Sequence, residues 1–381
     1  MHLSTIPMSV YVHWPWCVQK CPYCDFNSHV AKHADAADYA QALAQDWLYQ
    51  LPAFQGRKIH SVFFGGGTPS LAHPRFIGEL LSLMERTVGF ETGAEITLEA
   101  NPGTVDAQYF ADYFAAGVNR LSLGVQSFDD GLLQSIGRIH DSAQAKRAIE
   151  LAYQVGFRRI NMDLMVGLPG QTEDQALSDI HQALSFKPEH LSHYQLTLEP
   201  NTPFFARPPR DLPDADRADQ LQALCHQSLQ TAGWQQYEVS AWHAVDGSAS
   251  RHNVNYWQFG DYVGIGAGAH GKITRDDGSM WRTQHAKAPA RYQQDISQGQ
   301  LPQTTMIATE DVPFEFFMNG LRLKQGVARE LLLDRAGLDP VSVQESWQLG
   351  VSQGLLSPQG DRFVTTDLGY RFLNRSVSLF L

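Results

Sequence analysis

The chain is poor in cysteine, has no long apolar run and carries no excess of positive charge. Each absence removes a class of function. Only 4 cysteines occur in 381 residues, and three of them fall between positions 17 and 24. A disulfide framework needs an even number of cysteines spread along the chain, so a reducing compartment is expected, and the cytoplasm fits it. No stretch of about 18 apolar residues occurs, so no membrane span is expected, while peripheral membrane contact stays open. The opening Met1-His2-Leu3-Ser4 has no basic stretch before an apolar one, and no secretory signal is expected. The formal charge is −11, from 29 Lys+Arg against 40 Asp+Glu. That balance argues against non-specific binding to nucleic acid or to an anionic membrane. Internal repeats and low-complexity tracts are also lacking. What is present is apolar and aromatic material, 43% hydrophobic residues with 8 Trp, 13 Tyr and 20 Phe. This is enough to bury a large core in two or three units.

Six strand-like runs lie in the first two hundred residues: Ser9 to His13, Ser61 to Gly65, Glu95 to Ala100, Arg120 to Val125, Arg159 to Met165 and His193 to Thr197. Between them lie segments with helical periodicity, at Asp38 to Leu51, Pro74 to Val88, Asp106 to Ala116, Ser142 to Val155 and Glu173 to Leu184. This alternation predicts a parallel sheet of βα units. Six units are two short of an eight-stranded barrel, in which chemistry sits at the C-terminal ends of the strands. A proline-rich stretch from Pro200 to Pro213 reads as a boundary. Three units are expected: 1–210, a partial α/β barrel; 211–300, an extension with a helix near Ala215 to Thr231 and a strand at Tyr237 to Trp242; and 301–381, mainly helical with a two-stranded wing around Gly354 to Thr366.

Directly after the first strand the sequence reads His13-Trp14-Pro15-Trp16-Cys17-Val18-Gln19-Lys20-Cys21-Pro22-Tyr23-Cys24. Three thiolates at C-x3-C-x2-C spacing can each hold one iron of a cubane, leaving the fourth iron open to a small molecule. The competing readings are a zinc site completed by His13 or His29, and three buried thiols. Structural zinc prefers paired C-x2-C units with two further ligands. Cys225 stands alone on an expected helix and reads as a buried structural cysteine.

The other unusual motifs fall at strand ends. Gly65-Gly66-Gly67-Thr68-Pro69 is either a tight turn or a place where a ligand approaches backbone, and it lacks the Lys-Ser/Thr ending of a phosphate loop. Glu99 and Asp163 lie in apolar strands, where buried carboxylates need partners that a ligand's hydroxyl or amino groups could supply. Arg138, in Gly137-Arg138-Ile139-His140, is either a surface charge or a fork for a ligand carboxylate. The block Arg251-His252-Asn253-Val254-Asn255-Tyr256-Trp257 is dense in groups that bind metals or stack on rings, though a lone histidine is more often structural. Gly264 to His270 lacks the spacing of a dinucleotide loop.

In this order the C-x3-C-x2-C loop, Gly-Gly-Gly-Thr-Pro, Glu-Ala-Asn-Pro, Gly-Val-Gln-Ser-Phe, Gly-Arg-Ile-His and His-Asn-x-x-Tyr-Trp resemble the radical S-adenosylmethionine superfamily. Within it they resemble the family of oxygen-independent coproporphyrinogen III oxidase and its shorter heme-chaperone relatives, over nearly the whole chain. The resemblance implies a partial (β/α)6 barrel, similar to a TIM barrel, with a winged-helix-like C-terminal domain. It implies a [4Fe-4S] cluster on Cys17, Cys21 and Cys24, S-adenosylmethionine at the open iron, and heme. On matching positions Tyr11 and Tyr23 become adenosine-side contacts; Gly66, Gly67 and Thr68 meet the methionine moiety; Glu99, Gln126, Arg138 and Asp163 supply the remaining polar contacts. Only sixteen residues precede Cys17, and Phe26 stands where the oxidase has a further cysteine. Both features match the heme chaperone, which would pass heme to acceptors, respiratory heme proteins among them. The alternative is a radical enzyme such as the oxidase. His252 is the expected heme ligand, with His243 and His270 next. A DNA-binding winged helix is disfavoured, because from Leu301 onward seven Lys/Arg face nine Asp/Glu.

Overall fold

The computed structural model describes residues 2–30, 36–104, 107–358 and 360–381. Its centre is a parallel sheet built from six strands in chain order: β1 (Met8–Trp14), β2 (Ile59–Gly66), β3 (Phe90–Ala100), β4 (Arg120–Gln126), β5 (Arg159–Val166) and β6 (His190–Gln195). Each parallel pair is joined by helical crossovers: α1 (Ala36–Gln50), α2 (Pro74–Thr87), α3 (Ala107–Ala115), then α4 (Asp130–Ser135) with α5 (Ser142–Val155), and α6 (Glu173–Ser185). The expected start of the third helix at Asp106 lies outside the described residues. Local signals agree with the crossovers. Asp141 with Gln144 and Thr172 with Gln175 form reciprocal capping boxes that satisfy the first free N–H groups of α5 and α6. The outward faces of the strands and the inward faces of the helices make one core, which includes Val10, Leu98, Leu121, Ile160 and Leu191.

The sixth strand begins three residues before the expected His193. The shift has a physical cause: His190 and Ser192 face a polar interior, where His190 Nδ1 and Ser192 Oγ both donate to Asn161 Oδ1, at 2.7 and 3.1 Å. Polar residues at those positions hide the strand from a hydrophobicity reading.

The sheet continues beyond these six strands on both sides. After the short α7 (Pro203–Ala206) and α8 (Ala215–Thr231), the expected strand at Tyr237 to Trp242 is a hairpin, β7 (Gln235–Glu238) and β8 (Ala241–His243), and β8 pairs antiparallel to β6. Helix α9 (Arg251–Trp257) then leads into β9 (Asp261–Ile265), which lies parallel to β1 on the opposite edge, Met8 opposite Asp261 and Val12 opposite Ile265. Three antiparallel strands follow, β10 (His270–Thr274), β11 (Met280–Gln284) and β12 (Gln303–Met306), completing a twelve-stranded sheet. The C-terminal helices enclose a second core around Phe316, Phe317, Trp347, Phe363 and Phe380, to which Phe259 and Met280 of the preceding segment also belong. Around the expected wing, Arg362–Phe363 pairs with Val327–Ala328, and Leu356 bridges Thr365. Among the described residues no helix is long and apolar enough to cross a membrane.

Candidate functional site

The site forms where β1 ends. Trp16–Cys17 pairs with His29–Val30, so the cysteine loop is pinched at its base. His29 N–H donates to Pro15 O at 2.7 Å. His13 Nε2 lies 2.8 Å from Asn27 O, and a carbonyl only accepts, so Nε2 carries the proton. His13 Nδ1 then accepts from the Tyr11 hydroxyl at 3.0 Å. Asn27 Nδ2 reaches on to Ala267 O and Lys287 O, both at 2.9 Å, and ties the loop to the turns after β9 and β11.

The Gly-Gly-Gly run serves this loop first. A Cβ on Gly66 (φ +117°) would come 2.6 Å from the His13 ring, and one on Gly67 would come 2.7 Å from Trp16 O. With no side chains in the way, Gly67 N–H and Thr68 N–H donate to Trp14 O and Trp16 O at 2.7 and 2.8 Å. The two readings of this motif therefore merge, because close passage of the cysteine loop also leaves Gly66, Gly67 and Thr68 lining the cavity.

That cavity gathers Cys17, Cys21 and Cys24 with Tyr23, Glu99, Gln126, Arg138 and Asp163, drawn from five separate parts of the chain. Glu99 and Asp163 arrive on β3 and β5. Gln126 is turned inward by a register shift in β4 and by its own left-handed backbone (φ +67°), a strained conformation of the kind that gathers at functional sites. Tyr11 does not line this cavity; its ring stacks beside Phe63 within the barrel. Ser122 and Tyr194 do line it and were not singled out in the sequence. Ser122 had a signal, since it lies two residues before Gly124, on the same face of the strand at period two. The Tyr194 hydroxyl donates to Gln126 Oε1 at 2.9 Å, a partnership 68 positions apart that no local pattern reveals.

The polar groups differ in how far the protein itself satisfies them. Asp163 accepts from Asn161 Nδ2 at 2.7 Å and from Ser122 Oγ at 3.4 Å. Arg138 donates from Nη2 to Gly124 O at 2.8 Å, while its buried Nε has no partner among the described residues. Among the described residues Glu99 has one bond, from Gly66 N–H at 3.2 Å. Burial, reinforced by Asp163, pushes the Glu99 carboxyl up to about 8. The folded protein therefore holds this proton more tightly than the unfolded chain. Stability from that proton is present in acid and is lost as pH rises from about 4.5 to about 8. Glu99→Gln is expected to remove that loss in the ligand-free protein, making the variant more stable than the wild type at pH 8.5 and about equal at pH 4.5. Urea unfolding at both pH values measures it; equal stability of the two chains at pH 8.5 would show that Glu99 ionises freely.

Three thiols on one loop fit a cluster better than a single ion. Among the described residues no three His, Cys, Asp or Glu side chains converge where one metal ion could sit, as mononuclear zinc with His13 or His29 would require. Cys225 is remote from the loop, buried in the main core, with its thiol pushed up to about 12 by burial.

His252 lies at the other end of the barrel, which corrects its expected role as a heme ligand. It is 1% exposed. Its Nδ1 bonds Ser61 Oγ at 3.0 Å and its Nε2 bonds the Tyr256 hydroxyl at 2.7 Å, so neither nitrogen is open to an iron. Its own N–H and that of Arg251 donate to buried Glu95. Burial raises the Glu95 carboxyl, but Arg120, Arg159 and these N–H groups outweigh it and hold it below its usual value. Gly66 lies five residue steps beyond Ser61 along β2, roughly 16 Å. His243 is half-buried, with Nδ1 on Ala244 O at 2.8 Å. His270 is exposed, and it opens β10 at the cysteine-loop end of the sheet.

The model of the radical SAM superfamily matches residues 11–183, and that of the HemN C-terminal domain matches residues 307–372. The heme chaperones HemW of Haemophilus influenzae and of Escherichia coli are each 46% identical to this chain, with 98% of both partners covered in each case. The solved structure of coproporphyrinogen III oxidase (HemN) from Escherichia coli, a radical SAM enzyme, superposes with a TM-score of 0.83 at 24% identity, covering 98% of this chain and 90% of that one.

Proposed function

The chain belongs to the radical S-adenosylmethionine superfamily and, within it, to the heme chaperone family, and from that premise we propose that it binds heme and passes it to heme-accepting proteins. A [4Fe-4S] cluster on Cys17, Cys21 and Cys24 and S-adenosylmethionine in the adjoining cavity belong to the same reading. The observation that carries it is the meeting of three thiols on one loop with Glu99, Gln126, Arg138 and Asp163 around one cavity. When bound, the cluster supplies an iron with an open coordination position. The residues around it do the rest. Arg138, with its buried Nε unpartnered among the described residues, takes the ligand carboxylate. Glu99 and Asp163 take hydroxyl or amino groups, and Gly66 and Gly67 let the ligand lie against backbone. Tyr23, whose ring lies 6.5 Å from that of Phe204, closes the side towards α7.

Binding of S-adenosylmethionine is expected to change the paramagnetic resonance spectrum of the reduced cluster. Arg138→Ala is expected to weaken that binding by about 2 kcal/mol or more, roughly 30-fold, because a charged pair is broken in a desolvated site. An unchanged spectrum on adding S-adenosylmethionine to the wild type would refute direct coordination.

For heme, His270 replaces His252 as the proposed ligand. Partial burial of the otherwise exposed ring, together with the neighbouring Lys287 charge, holds His270 below its usual range, favouring the neutral imidazole that ligates iron. Lys287 also offers a cation to a propionate. Heme titration is expected to show tenfold or greater loss of affinity in His270→Ala, and no loss in His252→Ala beyond its lower stability. Catalytic formation of protoporphyrinogen from coproporphyrinogen in an anaerobic assay would overturn the chaperone reading in favour of a radical enzyme.

A further inference from the structure

Each of the three cysteine sulfurs has a side-chain hydrogen-bonding neighbour, and Thr68, Arg138 and Ser28 among these neighbours come from separate parts of the chain; Ser28 also reaches Cys17, Tyr23 reaches Cys21 and the Phe26 backbone reaches Cys24. Thr68, just after β2, donates from Oγ1 to Cys17 Sγ at 3.5 Å. Arg138, just after α4, donates from Nη1 to Cys21 Sγ at 3.5 Å. Ser28, at the end of the cysteine loop, has Oγ 3.9 Å from Cys24 Sγ. A ligating thiolate carries no proton, so in that state the Ser28 hydroxyl is the donor.

We infer that Thr68, Arg138 and Ser28 form a donor set, reaching all three cysteine sulfurs, that raises the reduction potential of the cluster. The inference rests on the proposed [4Fe-4S] site and adds to it a role for three residues that hold no iron.

Each donor is fixed by other contacts. Thr68 is buried, its N–H is held by Trp16 O, and its side chain makes no capping bond to the short turn Pro69–Leu71 that it precedes. Its hydroxyl is therefore available to sulfur. Ser28 is buried, and its N–H donates to Phe26 O at 2.7 Å. Lys20 Nζ holds the Phe26 and Ser28 carbonyls at 3.0 and 3.4 Å, so the segment carrying Ser28 is tied from both sides. Arg138 is anchored through Nη2 to Gly124 O. Since the donors sit on unrelated segments, the geometry of a single turn does not explain why all three sulfurs are covered.

The direction of the effect follows from charge. Reduction adds an electron to a cluster whose negative charge extends onto its thiolate sulfurs. A donor aimed at sulfur stabilises the reduced form more than the oxidised one and raises the potential. All three donors line the ligand cavity; the neutral hydroxyls are the cleaner probes, because removing Arg138 would also remove a full charge beside the cluster, and the measurement is made without ligand.

The test compares wild type, Thr68→Val, Thr68→Ser and Ser28→Ala after anaerobic reconstitution, without S-adenosylmethionine. Iron and sulfide content is measured first, and the midpoint potential is then taken by redox titration followed by paramagnetic resonance. Thr68→Val and Ser28→Ala are expected to keep a full cluster and to lower the midpoint. Each should shift the reduction equilibrium about threefold or more, roughly 28 mV at 59 mV per decade. Thr68→Ser, which keeps the hydroxyl, is expected to stay at the wild-type value. Unchanged midpoints in Thr68→Val and Ser28→Ala with full cluster content would overturn the inference. So would loss of the cluster in both, which would mean that the hydroxyls hold the loop rather than tune it. Absence of a cluster from the wild type would instead overturn the underlying assignment of the site.

Discussion

A Cys21→Ser chain, reconstituted anaerobically with iron and sulfide, is expected to retain no [4Fe-4S] cluster, while Cys225→Ser retains it in full. Cys21 is one of only three thiols facing the cavity. With two remaining, a second iron would lack its protein ligand, and serine oxygen is a harder, poorer donor to iron–sulfur than thiolate. Cys225 is fully buried among apolar side chains, with a thiol held protonated by burial, so it cannot take over. The expected change is from about four irons and four sulfides per chain to none. Iron and sulfide analysis with the visible absorption spectrum measures it. One equivalent of zinc with no sulfide in the wild type would refute the cluster itself.

The second large effect concerns stability. Asp261, at the start of β9, is wholly buried and accepts from Arg57 Nη1 at 2.8 Å, Lys272 Nζ at 2.9 Å, and both the N–H and Oγ1 of Thr274 at 2.8 Å. Burial works against its charge, but Lys272 and Arg57 outweigh it and hold the carboxyl below its usual range. Asp261→Ala would leave two buried cations with no counter-charge. Breaking a buried pair in this way costs about 3–5 kcal/mol, and the loss is expected in urea unfolding at neutral pH. The sign can also be checked in acid. Because the folded carboxyl titrates below its unfolded value of 3.8, its stabilisation is present above that pH and disappears as pH falls through the depressed value. The gap between variant and wild type should therefore narrow in acid. A cost under about 1 kcal/mol at neutral pH would show that the cations relax into water.

Asp261 also illustrates why one edge of the sheet was not legible in the sequence. Its partner Arg57 is 204 positions away, and the strand it opens is short, so no local period marks it. The first five central strands were legible because parallel strands buried on both faces read as apolar runs, the polar start of the sixth was missed, and the helices between them carry periodicity and capping boxes. The antiparallel strands β10 to β12 were not: glycine and charged residues break the alternation of β10 and β11, and β12 is short, exposed and mostly polar.

The cysteine spacing and the order of the motifs determined the family and the chemistry to expect, because iron ligation depends on residue type and short-range spacing that the chain itself carries. The tertiary structure decided which motifs share a place. Glu99, Gln126, Arg138 and Asp163 come to the cysteine loop because parallel strands deliver all their C-terminal ends to one side of the sheet. His252 is carried to the opposite end because α9 docks on Ser61 and Glu95 near the strands' N-terminal halves. That docking is a long-range burial of polar groups, and it turned a residue that looked like a ligand into one whose two ring nitrogens are both already bonded.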